Sequence, residues 1–196
     1  VKNDVIGIGT YVKKTYNQFK SWSGLFDIDK SIRMSALSMG LLSKRSDDFR
    51  TTLKSAGNET ISFGVGIGEL AKLQADYSEE LGRSLVMNKT NMEALAAMSV
   101  ASNLGAQGTA KMAADMDQIG YSAKRTSEFV EQTLNDASNM GLNATKVMKN
   151  IQSNIKLLNK YNFKDGVKGL AKMAESASKL GVDMNLAGSM ADKLFD

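Results

Sequence analysis

The sequence predicts an all-α protein. Its expected form is an array of short antiparallel helical hairpins with glycine stops, interrupted by a hinge or short extended segment at 61–68. Three observations predict this. The chain has 196 residues and no proline, the residue that breaks helix interiors by clashing and by lacking an N–H. Apolar residues recur at three- and four-residue intervals along most of the chain, which is the period of one helix face. The pattern Ala-Ser-x-Leu/Met-Gly appears as Ala101–Gly105, Ala137–Gly141 and Ala177–Gly181, with its glycines 36 and 40 residues apart.

The elements follow in order. Tyr11, Val12, Tyr16, Phe19 and Trp22 make an aromatic helical stripe close to Lys13, Lys14 and Lys20. A helix is expected after Asp29, with Ile32, Ala36, Met39 and Leu42 on one face. The next is expected from Ser46-Asp47-Asp48, because acidic groups favour a first turn. It carries Phe49, Leu53 and Ala56 and stops at Gly57. In Ile61–Gly68 glycine alternates with apolar residues, and each glycine costs a helix ~1 kcal/mol relative to alanine. This segment reads as the hinge, and Ile6-Gly7-Ile8-Gly9 echoes it.

From Glu69 the stripe Leu70, Leu73, Tyr77, Leu81 runs to Gly82, followed by a connector over Ser84–Lys89. Thr90-Asn91-Met92-Glu93 matches a capping box, in which the Thr and Glu side chains satisfy two free N–H groups. The helix it opens carries Met92, Leu95, Ala96 and Val100 and ends at Leu104-Gly105. A short helix with Met112, Ala113, Met116 and Ile119 ends at Gly120. Phe129, Val130, Thr133, Leu134, Ala137 and Met140 lead to Gly141. Then come Ala144, Val147, Met148, Ile151, Ile155 and Leu158, with a turn at Tyr161–Lys164. Val167, Leu170, Ala171, Ala174 and Ala177 lead to Gly181, and a last stripe runs from Leu186 to Leu194.

The connectors Gly120-Tyr121-Ser122, Gly141-Leu142-Asn143 and Gly181-Val182-Asp183 share one chemistry, of which Gly105-Ala106-Gln107 is a weaker version. Glycine takes the left-handed position that ends a helix, and the apolar residue after it packs back on the last turn. The Ser, Asn or Asp then caps the next helix. Gly82, Gly105, Gly120, Gly141 and Gly181 are therefore the expected helix stops. So short a link returns the chain beside itself as a helical hairpin. The organisation expected is an N-terminal helical segment over 1–60, the hinge at 61–68 and the hairpin region over 69–196.

Composition excludes much chemistry. The chain has no cysteine and no histidine. It lacks a thiolate nucleophile, a disulfide, the usual general base and the usual zinc ligand. The net charge is +4, with an uneven distribution. Residues 1–60 carry +4, residues 61–145 carry −4 and residues 146–196 carry +4. That alternation fits contacts between copies or segments better than nucleic-acid binding. No run approaches the ~18 apolar residues of a membrane span, and the opening Val1-Lys2-Asn3-Asp4 does not read as a secretory signal.

Candidate motifs fail on their spacing. Gly64-x-Gly66-x-Gly68 has Glu69 where a dinucleotide-binding loop needs glycine. Asp115–Gly120 starts like a calcium loop but has Ile119 at position five and Thr126 at position twelve. Glu69, Glu79, Glu80 and Glu175 are the carboxylates from which a glycosidase-like pair would be drawn. The expectation is nonetheless no enzymatic activity, catalytic set, metal or cofactor. The aromatic residues Tyr11, Tyr16, Phe19 and Trp22 are the candidate partner surface.

Leu-Gly stops between alanine-rich helices resemble the tail tape-measure proteins of phages and related contractile injection systems. The run Gly68–Gly82 (GELAKLQADYSEELG) is similar to the opening of their common core, and Ala174–Leu194 to its helical hairpins. The resemblance covers about residues 61–196 and has no catalytic set to transfer. It implies a long, largely helical chain that sets tail length and leaves with the genome. It also implies made-in-host-cytoplasm, virion-resident copies meeting one another, other tail proteins and, in passing, DNA. The chain starts at Val1 and ends within an apolar stripe, as expected of a piece of a longer polypeptide. This family's lumenal rods favour long unbroken helices, whereas short helices are expected here. Two other roles are open: a soluble helical-repeat adaptor binding a protein partner through its apolar stripes, and a carboxylate-based cell-wall hydrolase.

Overall fold

The apolar stripes fold into a stack of helices in a computed structural model, which describes residues 27–156, 158, 166–182 and 184. The aromatic stripe Tyr11–Trp22, the turn at 161–164 and the stripe 186–194 lie outside the described residues. The described helices are α1 (27–38), α2 (Lys44–Thr60), α3 (Ile67–Leu81), α4 (Lys89–Ser102), α5 (Gly105–Gln118), α6 (Ala123–Asn139), α7 (Ala144–Asn154) and α8 (Gly166–Leu180). No strand occurs among the described residues.

Each helix buries the stripe that its sequence marks. Ile32, Ala36 and Met39 are buried near α1, and Phe49, Leu53 and Ala56 on α2. Leu70, Leu73 and Tyr77 are buried on α3, Met92, Leu95 and Ala96 on α4, and Met112, Ala113 and Met116 on α5. Val147, Met148 and Ile151 on α7 and Val167, Leu170 and Ala174 on α8 extend the same cluster. Burying each large side chain contributes about 1.5–3 kcal/mol. Methionine, flexible and unbranched, fills the irregular gaps between the helices.

Consecutive helices pack, as α4 does on α5 and α6 on α7. The more extensive contacts join helices two apart: α3 to α5, α4 to α6 and α2 to α4. Thus α2, α4 and α6 form one layer and α3 and α5 a second. α7 packs on α6 and on α8. Short helices of similar length bury both a flank against the next helix and a flank against the one beyond it, as stacked helical repeats do. The described N-terminal helices share the core of the hairpin region: Phe49 and Leu53 join one cluster with Leu70 and Met92.

Several boundaries differ from the sequence reading. The segment 61–68 is mostly helical. Ile61–Phe63 is a 3-10 turn, Gly64 is left-handed, and Ile67-Gly68 already belong to α3, leaving Gly66 as its extended N-cap. Gly57 is not a stop. It is buried inside α2, where an added Cβ would collide with the Ile67 Cγ1. Its missing side chain lets the start of α3 approach α2. Asn103, not Gly105, takes the left-handed position after α4, with φ 54°, and Gly105 opens α5 with φ 71°. Asn88, not Thr90, caps α4, its Oδ1 accepting from the Asn91 N–H at 2.9 Å. Leu42, Val100 and Met140 are exposed; Leu41 and Met98 are buried in their neighbourhood.

Candidate functional site

The most repeated local structure in the molecule is the helix stop. At Gly120 the glycine has φ 85°, its N–H donates to the Asp117 carbonyl at 2.9 Å, and the Tyr121 N–H donates to the Met116 carbonyl at 2.9 Å. At Gly141 the corresponding bonds run to Ser138 at 3.0 Å and from Leu142 to Ala137 at 2.9 Å. At Gly181 they run to Ser178 at 3.4 Å and from Val182 to Ala177 at 2.9 Å. This paired 6→1 and 5→2 closure satisfies carbonyls that a helix end leaves free. Gly82 makes the same pair through Glu79 and, via the Arg83 N–H, Ser78.

Gly40 and Gly64 close in the same way, through Leu41 and Val65. Neither is among the helix stops expected from the sequence, where Gly64 falls in the hinge at 61–68. Their signal was present: glycine followed by an apolar residue, with Leu41 and Val65 both buried. The two short connectors then cap the next helix as expected. Ser122 Oγ accepts from the Arg125 N–H at 3.3 Å, and Asn143 Oδ1 accepts from the Lys146 N–H at 3.0 Å. The Arg125 guanidinium lies 4.0 Å from the centre of the Tyr121 ring.

Between α3 and α4 a different device operates. Gln74 is fully buried. Its Nε2 donates to the Leu85 carbonyl at 2.8 Å, and its Oε1 accepts from the Met87 N–H at 2.9 Å. Ser78 Oγ adds a bond to the Leu85 carbonyl at 3.0 Å. One side chain thus replaces the backbone partner that this irregular segment lacks.

Polar groups also link α3 to α5. Arg83 meets Asp117 at 2.7 Å. Burial, and then the Asp117 carboxylate, push the Tyr77 hydroxyl above its ordinary range, partly opposed by Arg83. Lys111 lies 3.8 Å from Glu80 and 3.5 Å from the buried Asp115. Arg83–Asp117 and Lys111–Glu80 tie the two helices together, while the Lys111–Asp115 pair lies within α5.

A cleft of about 300 Å³ separates α6 from α8, lined by Phe129, Thr133, Asp136, Lys168, Lys172 and Glu175 among others. Burial, with Asp136 adding, holds the Glu175 carboxyl above the usual carboxylate range, and Lys172 partly opposes this. The other candidate carboxylates, Glu69, Glu79 and Glu80, stand on α3. Among the described residues no three acidic groups cluster as metal ligands, and no helix is long and apolar enough to cross a membrane. Of the expected site residues, Gly82, Gly120, Gly141 and Gly181 stand at helix ends in the left-handed conformation, and Gly105 begins a helix. Tyr11, Tyr16, Phe19 and Trp22 lie outside the described residues. No protein-family model, no curated protein and no solved structure matches this chain.

Proposed function

We propose that this chain is a structural, non-catalytic component of a phage tail or related injection device, of tape-measure type, present in several copies. The observation that carries the proposal is the run Gly68–Gly82. It resembles the opening of the tape-measure core in sequence, and it folds as one helix that ends in a left-handed glycine. The repeated glycine closures support it further, because they divide the described residues into similar units that stack. In this reading its partners are its own copies, other virion or tail proteins and, transiently, DNA. It is made in the host cytoplasm and resides in the particle.

The packing of helices two apart favours a second reading, a helical-repeat adaptor that binds another protein, because stacked repeats of this kind present long surfaces. One experiment separates the two. Peptides from purified intact particles of the source organism are mapped by mass spectrometry. Recovery of this segment within a long chain at a few copies per particle supports the tape-measure reading. A cytosolic protein of about this length that is absent from particles supports the adaptor.

A further inference from the structure

The outer faces of α7 and α3 carry charge rows that match when one is reversed. On α7, Lys146, Lys149 and Lys156 are exposed together with Ser153. Lys156 lies just past the helix end. No acidic residue occurs between 137 and 164. On α3, Glu69, Lys72 and Glu79 are exposed and Asp76 is partly so. At 100° per residue each set falls on one side of its helix, opposite the buried stripe.

Along α7 the lysines are spaced by three and then seven residues, about 4.5 Å and 10.5 Å of helix rise. Along α3 the carboxylates are spaced by seven and then three. Two such helices laid antiparallel set Lys156 opposite Glu69, Lys149 opposite Asp76 and Lys146 opposite Glu79. The same register sets the remaining cation of the α3 row, Lys72, opposite the neutral Ser153. A parallel arrangement that sets Lys146 on Glu69 and Lys156 on Glu79 sets Lys149 against Lys72 and leaves Asp76 opposite Ser153. Among the described residues the three α7 lysines form no ion pair. Nor do Glu69 and Glu79, while Asp76 meets only Lys72 at 3.3 Å.

We infer that two copies of this chain associate through α7 of one and α3 of the other, antiparallel, in that register. The charge balance of the whole chain agrees, since residues 61–145 carry −4 and residues 146–196 carry +4. Because each copy brings both rows, the contact is heterologous and closes as a ring or extends as a chain. Exposed ion pairs are individually weak and screened by salt, so the association is salt-sensitive. It deepens the multi-copy reading above, but it is tested on the purified chain, so its failure leaves the particle experiment standing.

The test is sedimentation velocity of the full chain at low and at physiological salt, with circular dichroism confirming that each variant is folded. The expected result is self-association at low salt that weakens on adding salt. Lys146→Glu/Lys149→Glu/Lys156→Glu and, separately, Glu69→Lys/Asp76→Lys/Glu79→Lys should each weaken it roughly tenfold or more. The variant with all six changes keeps the net charge and should associate again. A monomer at low salt, or six changes that do not restore pairing, would overturn the inference. So would a lysine variant that loses binding to a short DNA duplex while its self-association is unchanged, since the row would then be a phosphate site.

Discussion

The α6–α7 and α3–α4 connectors both turn the chain between packed helices, and they do it by different means. The first is Gly141-Leu142-Asn143, and every bond that shapes it comes from within five residues. The second runs from Gly82 to Asn88. Its first residue closes α3 locally, but the rest is held from afar. Gln74 and Ser78 bond Leu85 and Met87, Arg45 bonds the Ser84 carbonyl at 3.0 Å, and the Ser84 hydroxyl bonds the Met39 carbonyl. A turn with local partners is encoded where it stands. A longer link takes its shape from the core it crosses.

The largest expected effect breaks the long link. Gln74→Ala leaves the buried Met87 N–H without a partner, opens a cavity and should cost about 3 kcal/mol in denaturant unfolding. A loss below about 1 kcal/mol would mean that the connector holds itself. Next comes the local stop. Gly141→Val, and likewise Gly181→Val, should cost about 1–2 kcal/mol, because a side chain resists the left-handed conformation. Unchanged melting of both would dispose of the local closure as the source of the turn. A paired test sharpens the junction of the two modes at the start of α4. Asn88→Ala should cost about 1 kcal/mol through its lost cap, while Thr90→Ala, at an exposed position, should leave the melting temperature nearly unchanged. The reverse order would restore the capping box.

The smallest effect probes a long-range contact of charge. Glu175 titrates above the usual range through burial and Asp136. A folded-state pKa above the unfolded value means that the fold disfavours the charged form, so stability falls as pH rises through that pKa. Glu175→Gln should therefore gain about 0.3 kcal/mol near neutral pH. The gain should vanish below about pH 4, where the wild-type carboxyl is protonated in both states. A gain independent of pH would point to packing instead of charge.

The buried face of nearly every helix was legible, because period and burial are the same information on a helix. The caps at Ser122 and Asn143 were legible too, since glycine, apolar residue and polar cap stand in adjacent positions. Thr90 misled because a capping box is also satisfied by a helix that starts earlier, at an Asn whose partner is equally near. Gly57 misled because a glycine that permits close approach and a glycine that ends a helix look alike until the neighbour, Ile67, is in place. Gln74 carried no signal, since its partners lie 11 and 13 residues away in an irregular segment. The alternate-helix packing was hidden for a related reason: stripes report which face is buried, not which helix buries it.

That packing gives the chain a parity. With α2, α4 and α6 in one layer and α3 and α5 in the other, each of these five helices has an odd or even address. Inserting one helix among them would shift the later stripes of the five into the opposite layer, where they would meet the wrong flank. Inserting two would leave every address intact and lengthen the stack by one step. Changes in length that keep this protein folded are thus expected in helix pairs, and a single-helix deletion is expected to do more harm than the loss of a neighbouring pair.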